Sequence, residues 1–489
     1  MEQNNRKNPG LEPSILIIAG ITGNLAKKYL LPALYDLIAS GMIPDNFKIV
    51  GLSRKQITTN DLIKLIEDDV ISKNEKLDKS KLAKMADMLH VCLMDISSPD
   101  DYELLRKDLD KIEDMAGVCM HRMYYLAIPP QIFGPVVDGL GTFGLNKGCQ
   151  HGVTESRLLL EKPFGFDLAS ARELIKRLNN SFEEDQIYRV DHYLAKENAQ
   201  NILTFRFDNP LFSRIWNRDS IEYIAITASE SIGIEDRADF YDQTGALRDF
   251  VQSHLMQLLC LATIEEPSDD SAETLHKEKV KLLNSVNIIQ PDQVDTHAVR
   301  GQYEGYIGES GNPKTITETY AALRLEIDND RWRGVPILLR NGKAMEEKVT
   351  EINFKLKDTR KTDHPPSILT IRIQPNEGIV LSLVSKKPGF DSETQPAQMQ
   401  FCYDQHYAEA LPNAYEYVLV DALRGDRGLF PTSGEVIRSW EIIENVVQAW
   451  THSEHQLEIY KIGSQGPKSA DKLAEVVNAS WQTHQLKIC

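Results

Sequence analysis

Ser14-Ile15-Leu16-Ile17-Ile18-Ala19-Gly20-Ile21-Thr22-Gly23-Asn24-Leu25-Ala26 is the stretch on which the fold turns. A short, continuous apolar run stopped by a glycine reads as a strand buried on both faces, as in a parallel sheet. Gly20 and Gly23 allow a tight turn and a close approach by a ligand, and the small Ala26 lets a following helix pack near the strand. A G-x-x-G-x-x-A turn between strand and helix aims backbone N–H groups at a pyrophosphate. Residues Gly20, Ile21, Thr22, Gly23, Asn24, Leu25, Ala26 and Lys27 are therefore the candidate dinucleotide loop. A plain βα turn can carry the same short pattern, so its neighbours must decide.

Helical material from Asn24 to Ser40 closes on Gly41, and Phe47–Ser53 gives a second strand, completing a β-α-β unit. Where an NAD site places an acidic residue on the ribose, this chain has Ser53-Arg54-Lys55. Arg54 there favours a 2′-phosphate, so NADP is the expected cofactor and NAD a secondary one. Further short apolar runs at Val91–Met94, Met123–Ile128 and Arg157–Leu160 alternate with charged helical segments. That pattern predicts an α/β domain, a Rossmann-like doubly wound parallel sheet over residues 14–188, after a polar tail over 1–13. Asp95, after the third run, touches the cofactor by position. Beyond, Leu323/Leu325/Ile327, Ile352/Phe354/Leu356, Leu369/Ile371/Ile373 and Ile379/Leu381/Leu383 alternate with mostly polar neighbours. A period of two predicts half-buried strands, hence an α+β domain over 189–489 built on a large, mostly antiparallel sheet.

A chain of 489 residues with 42% hydrophobic content exceeds one ordinary core, in keeping with two domains. The formal charge of −17 argues against nucleic acid or an anionic membrane as partner. The longest apolar runs fall short of a membrane span. Six cysteines without a C-x-x-C pair point to no metal site and no dense disulfide framework, and so to a reducing, cytoplasmic setting.

Three longer segments carry a family likeness: Glu161-Lys162-Pro163-Phe164-Gly165, Arg189-Val190-Asp191-His192-Tyr193-Leu194-Ala195-Lys196-Glu197, and Gly245-Ala246-Leu247-Arg248-Asp249-Phe250-Val251-Gln252-Ser253-His254-Leu255. Together they resemble the glucose-6-phosphate dehydrogenase family, from about Ile15 to the Gly463–Pro467 region. The resemblance implies oxidation of glucose 6-phosphate at C1 to the lactone, with hydride passing to NADP, the entry to the oxidative pentose phosphate pathway. His254 is then the base for the C1 hydroxyl, and Asp191 the carboxylate that orients it. His192, Tyr193 and Lys196 are assigned to the 6-phosphate; His192 and Lys196, four apart on a helix, would share a face. Glu230 and Asp249 match acceptors for sugar hydroxyls, and Lys343 and Lys348 a basic pair completing the pocket, with Gly342 as a turn. Lys162 reaches both cofactor and sugar, next to a cis bond to Pro163. A homodimer or dimer of dimers is also implied.

Taken as residues alone, several of these remain open. His254 borders an apolar helical face of Phe250, Val251, Leu255, Leu258 and Leu259, where a core histidine would also sit. The chain departs from the family's usual residues at Asn24, Tyr29, Ala195, Asp236 and Ser253. The glucose–fructose oxidoreductase and inositol dehydrogenase class shares the expected architecture and Glu-Lys-Pro, but lacks a counterpart of Asp191 to Glu197. A sensor that kept the fold without turnover is the third reading.

Overall fold

Residues 11–72, 78–149, 154–358, 365–406, 411–451 and 457–481 are described by a computed structural model. The chain divides into two compact units. The first comprises Met1–Gly165, Ala169–Ala195 and Pro412–Ser433, the second Phe166–Leu168, Lys196–Leu411 and Gly434–Cys489.

In the first unit, β1 (Ser14–Ala19), β2 (Phe47–Ser53), β3 (Leu89–Leu93), β4 (His121–Leu126), β5 (Ser156–Glu161) and β6 (Ile187–Val190) form one sheet in the order 3-2-1-4-5-6. Every pairing is parallel. All six residues of β1 are buried, which is why its sequence is uniformly apolar instead of alternating. The order reverses between β1 and β4, the place where a doubly wound sheet opens a crevice for a dinucleotide. The helix Leu31–Ser40 ends on Gly41 at φ 73°, as the sequence predicts. Its Leu34, Leu37 and Ile38 share a core with Leu419, Leu423 and Phe430, from the segment that returns late in the chain. Arg157 reinforces that return by donating to the carbonyls of Ala422 at 2.6 Å and Leu423 at 3.0 Å. Cys119 and Cys149 form a disulfide, which their scattered spacing does not announce.

In the second unit, β7 (Ile221–Ser229), β8 (Ala298–Tyr303), β9 (Tyr320–Leu325), β10 (Ile337–Gly342), β11 (Val349–Leu356), β12 (Ile368–Gln374), β13 (Gly378–Lys386), β14 (Thr394–Cys402) and β15 (Leu457–Tyr460) make a nine-stranded sheet. Its order is 14-13-12-11-7-10-9-8-15. Only β10 with β7 and β15 with β8 pair in parallel; the sheet is otherwise antiparallel. Among the described residues, no helix is long and apolar enough to cross a membrane.

Candidate active site

The first unit presents the nucleotide features. Gly20 has φ 84°, and a Cβ there would stand 2.5 Å from the Ala127 carbonyl beyond β4. Only glycine lets the two strand ends approach so closely at the crevice. Gly23 N–H bonds to Gly20 O at 2.8 Å, and Lys27 N–H to Gly23 O at 3.1 Å, so the loop passes directly into helix. Ile21 and Ala26 are buried, whereas Asn24 is exposed. The first turns, Ala26–Leu30, are π-helical. Arg54 and Lys55 are exposed just past β2, where Ser53 Oγ takes the Lys55 N–H at 3.0 Å and fixes the turn. Asp95 is held below the usual carboxylate range by the Ser97 N–H and hydroxyl, with a smaller contribution from the nearby Arg54 guanidinium.

The Lys162–Pro163 bond is cis. Beside it, Glu161 accepts from Tyr125 Oη at 2.6 Å, and burial pushes its carboxyl up to about 7. Tyr415 also bonds to Glu161 and stacks on Tyr29 with ring centroids 5.1 Å apart. The His192 ring lies nearly parallel to Tyr415 at 6.4 Å and tilted against Tyr193 at 5.0 Å. Glu161 lies inside the Glu161–Gly165 motif but is not among the expected site residues; Tyr415, far along the chain, has no local signal.

One expectation fails here. His192 and Lys196 do not share a helical face, because the helix starts only at Glu197, with Lys196 as its extended N-cap at φ −77°, ψ 135°. Asp191, itself 3% exposed, takes the Tyr193 N–H at 3.0 Å on Oδ1, and its carbonyl takes the Leu194 N–H at 3.0 Å. This Asx-turn holds the backbone away from helix over 192–195.

Lys196 belongs to the second unit. Burial lowers its ammonium below the ordinary lysine range; Glu377 partly opposes this, and the nearby Lys348 adds to it. Two cations held close enough to disfavour one another suit a multiply charged anion. Elsewhere in this unit Lys343, 4% exposed, is ion-paired with Glu230 and lies over the Tyr241 ring at 5.2 Å. Gly342 is the last residue of β10, not a turn; the turn falls at Ala344, with φ 50°. Met345 N–H returns to Glu230 O at 2.9 Å. The carboxylates of Asp249 and Glu230 both act on the buried Tyr241 hydroxyl, whose ionisation burial already opposes. Glu230, Asp249 and Lys343 are thus gathered around one phenol, and Arg237 stands 4.0 Å from Asp249.

His254 is fully buried, its ring edge-on to Phe250 at 4.9 Å. It sits in a nine-residue π-helix, Leu247–Leu255, continued as α-helix over Met256–Thr263. Sequence periodicity reads this span as one helix, and the change of pitch matters. In an α-helix, residues five apart diverge by about 140°. The i→i+5 ladder of a π-helix brings them near one another, so Asp249 and His254 lie on one side. Gly245 permits the entry: its φ 70°, ψ 174° is a glycine-only conformation, and a Cβ would meet Glu318 Oε1 at 2.4 Å. Glu318 Oε1 also caps Leu247 N–H at 3.0 Å. Below the histidine, Gln257 donates to Glu435 at 3.1 Å, which is also bonded to His276 at 2.7 Å. We expect Gly245→Ala to destabilise the protein by about 1–3 kcal/mol, read as a lower denaturation midpoint. An unchanged midpoint would mean that the π-helix does not depend on this break.

Family comparisons bear on these features. The glucose-6-phosphate dehydrogenase NAD binding domain matches residues 17–201, and the glucose-6-phosphate dehydrogenase C-terminal domain matches 203–482. The chain belongs to the glucose-6-phosphate dehydrogenase family. Among curated relatives of this family, glucose-6-phosphate 1-dehydrogenase of Chlamydia muridarum is 36% identical, covering 97% of this chain and 98% of its own. The Bacillus subtilis enzyme of that name is 37% identical over 96% and 98%. A solved structure of glucose-6-phosphate 1-dehydrogenase from Mycobacterium avium superposes with a TM-score of 0.84 at 34% identity, covering 97% of this chain and 99% of that one. A glucose-6-phosphate dehydrogenase in complex with glucose 6-phosphate gives a TM-score of 0.89 at 32% identity, covering 96% and 99%. As a member of the glucose-6-phosphate dehydrogenase family, the chain carries a nicotinamide-dinucleotide domain followed by the mixed sheet described above.

Proposed function

We propose that this chain oxidises glucose 6-phosphate at C1 to 6-phosphoglucono-δ-lactone. The observation that carries the reading is a fully buried His254 placed one π-turn beyond Asp249, on the unit that also gathers Glu230, Lys343, Lys196 and Lys348. The Gly20 cradle, closed to any side chain, suits a dinucleotide pyrophosphate. When bound, the nicotinamide supplies the acceptor for the C1 hydride. His254 takes the C1 hydroxyl proton, leaving the C1–O double bond of the lactone. Asp191 holds the imidazole in the productive tautomer and stabilises it once protonated. Glu230 and Asp249 accept from sugar hydroxyls, and Lys343 neutralises the pair. His192, Tyr193, Lys196 and Lys348 bind the 6-phosphate, while Lys162 serves both ligands. Reduced-nicotinamide absorbance with glucose and glucose 6-phosphate tests the reading. Faster turnover of free glucose at equal concentrations would favour a polyol dehydrogenase, and no turnover of either would leave a sensor.

NADP is the preferred cofactor in this reading, and Arg54 is the reason. Its exposed guanidinium past β2 is free to meet a 2′-phosphate, a charge-assisted contact of about 1.5–3 kcal/mol. Arg54→Ala is therefore expected to lower the NADP-to-NAD ratio of specificity constants by about tenfold or more. Equal losses for both cofactors would place Arg54 on the adenine instead. The loop residues Gly20 to Lys27, with Asp95, complete the cofactor site.

The same reading includes cytoplasmic residence, which rests on composition, and a homodimer or dimer of dimers. An open apolar groove in the second unit, lined by Phe205, Phe212, Leu369, Leu381 and Met399, supports self-association. Light scattering that gave a monomer at working concentration would remove this part.

A further inference from the structure

The sequence offers no metal motif, yet the fold brings together His90, Cys92 and Asp108, none of which has a part in the reaction described above. One imidazole nitrogen, the thiol sulfur and one carboxylate oxygen all lie within 4.8 Å of one another. His90 and Cys92 alternate on β3, so their side chains leave the same face of the strand. Asp108 comes from the helix Pro99–Ala116, sixteen residues further along. Cys92 is a free thiol, 8% exposed, with Sγ 3.8 Å from Asp108 Oδ2. The other carboxylate oxygen of Asp108 lies 3.2 Å from Lys111 Nζ, on a lysine that is largely exposed.

We propose that His90, Cys92 and Asp108 form a binding site for a zinc-class divalent cation. The donor set is the argument. Magnesium and calcium take oxygen shells, whereas one nitrogen, one sulfur and one carboxylate oxygen suit a tetrahedral d10 ion with water in the fourth position. Zinc–ligand lengths of about 2.0–2.3 Å set tetrahedral edges near 3.3–3.8 Å, which the Cys92–Asp108 pair at 3.8 Å already meets, so no pair of the three atoms need close by more than about 1.5 Å. His90 is exposed and Asp108 lies toward the surface, and both can close by rotamer changes while Cys92 stays in place. The ion would clip β3, which is the edge strand of its sheet, to the helix that follows it. It would do so where the sheet has a partner on one side only. Binding the folded state alone would raise thermal stability with the logarithm of free zinc once its concentration exceeds the dissociation constant.

The test uses the purified full-length chain, stripped with a chelator and titrated with zinc against a chromophoric competitor. A parallel titration with cadmium reads thiolate coordination in the ultraviolet. One ion per chain is expected, with a cadmium–thiolate band and a thermal midpoint that rises with zinc. His90→Gln and Asp108→Asn, both toward the surface, should weaken zinc by about tenfold or more, since even outer-shell partners act on that scale. They should leave the circular dichroism unchanged and abolish the zinc-dependent rise in midpoint. Cys92→Ser should remove the cadmium band. Uptake below one equivalent, a cadmium band that survives Cys92→Ser, or full zinc affinity in both surface variants would each overturn the proposal.

Discussion

Purified His254→Asn is expected to lose about a hundredfold or more in turnover while still binding glucose 6-phosphate and cofactor. Asparagine occupies part of the same buried volume and keeps a polar group, but it cannot accept a proton at neutral pH. The barrier therefore rises by the amount a general base ordinarily removes. The competing possibility is a packing histidine: the side chain is wholly buried and edge-on to Phe250. The two differ in what is lost. A packing histidine would lower the denaturation midpoint and leave turnover per folded molecule nearly intact. A base would do the reverse. Near-normal turnover of the folded variant would sink the mechanism.

Lys196→Ala should lower the specificity constant for glucose 6-phosphate by about ten- to a hundredfold, the scale of one charge-assisted hydrogen bond to phosphate. Free glucose has no group there to lose, so its much smaller specificity constant should barely move. If the phosphate contacts also position C1, turnover falls together with affinity. Alkaline pH supplies a second check. Because burial and Lys348 lower the Lys196 ammonium, its positive charge is present below that lowered pKa and is lost as pH rises through it. The Michaelis constant for glucose 6-phosphate should therefore climb at a pH where an ordinary lysine would still be charged. Lys196→Arg, which stays protonated, should flatten that limb. Parallel losses for both sugars would remove Lys196 from the phosphate site.

How much could be read from the chain depends on how local each determinant is. The first parallel strands announce themselves because burial on both faces demands unbroken apolar runs, as in β1. In the second unit the positions of β9, β11, β12 and β13 are legible from alternation, although β9, β11 and β12 are almost wholly buried instead of half-buried; β7 and β10 are not legible. They lie at the centre of the sheet, and polar Thr227, Arg340 and Asn341 interrupt their apolar pattern, Arg340 Nε donating to Thr227 Oγ1 and Asn341 Nδ2 to the Ala228 carbonyl, contacts made far apart in sequence. The π-helix is illegible for another reason: it follows a break at Gly245 where Glu318, far along the chain, leaves no room for a Cβ. The false helix over His192–Lys196 came from spacing alone, which ignores that Asp191 can capture the Tyr193 N–H. Glu230, Asp249 and Lys343 carry a signal through the family resemblance, whereas Tyr241, the phenol on which both carboxylates act, has none in its own surroundings.

The late return of Pro412–Ser433 to the first unit sets a schedule for synthesis. A nascent chain that has emerged as far as Ala195 has all six strands of its first sheet, but not the Leu419, Leu423 and Phe430 that cover Leu34 and Ile38. At roughly 5–20 residues per second, the ribosome needs on the order of 10–40 s to supply the missing piece. Through that interval an apolar surface waits uncovered, and it is the chain's most exposed moment to aggregation or chaperone capture. A fragment cut at residue 195 would remain in that state permanently.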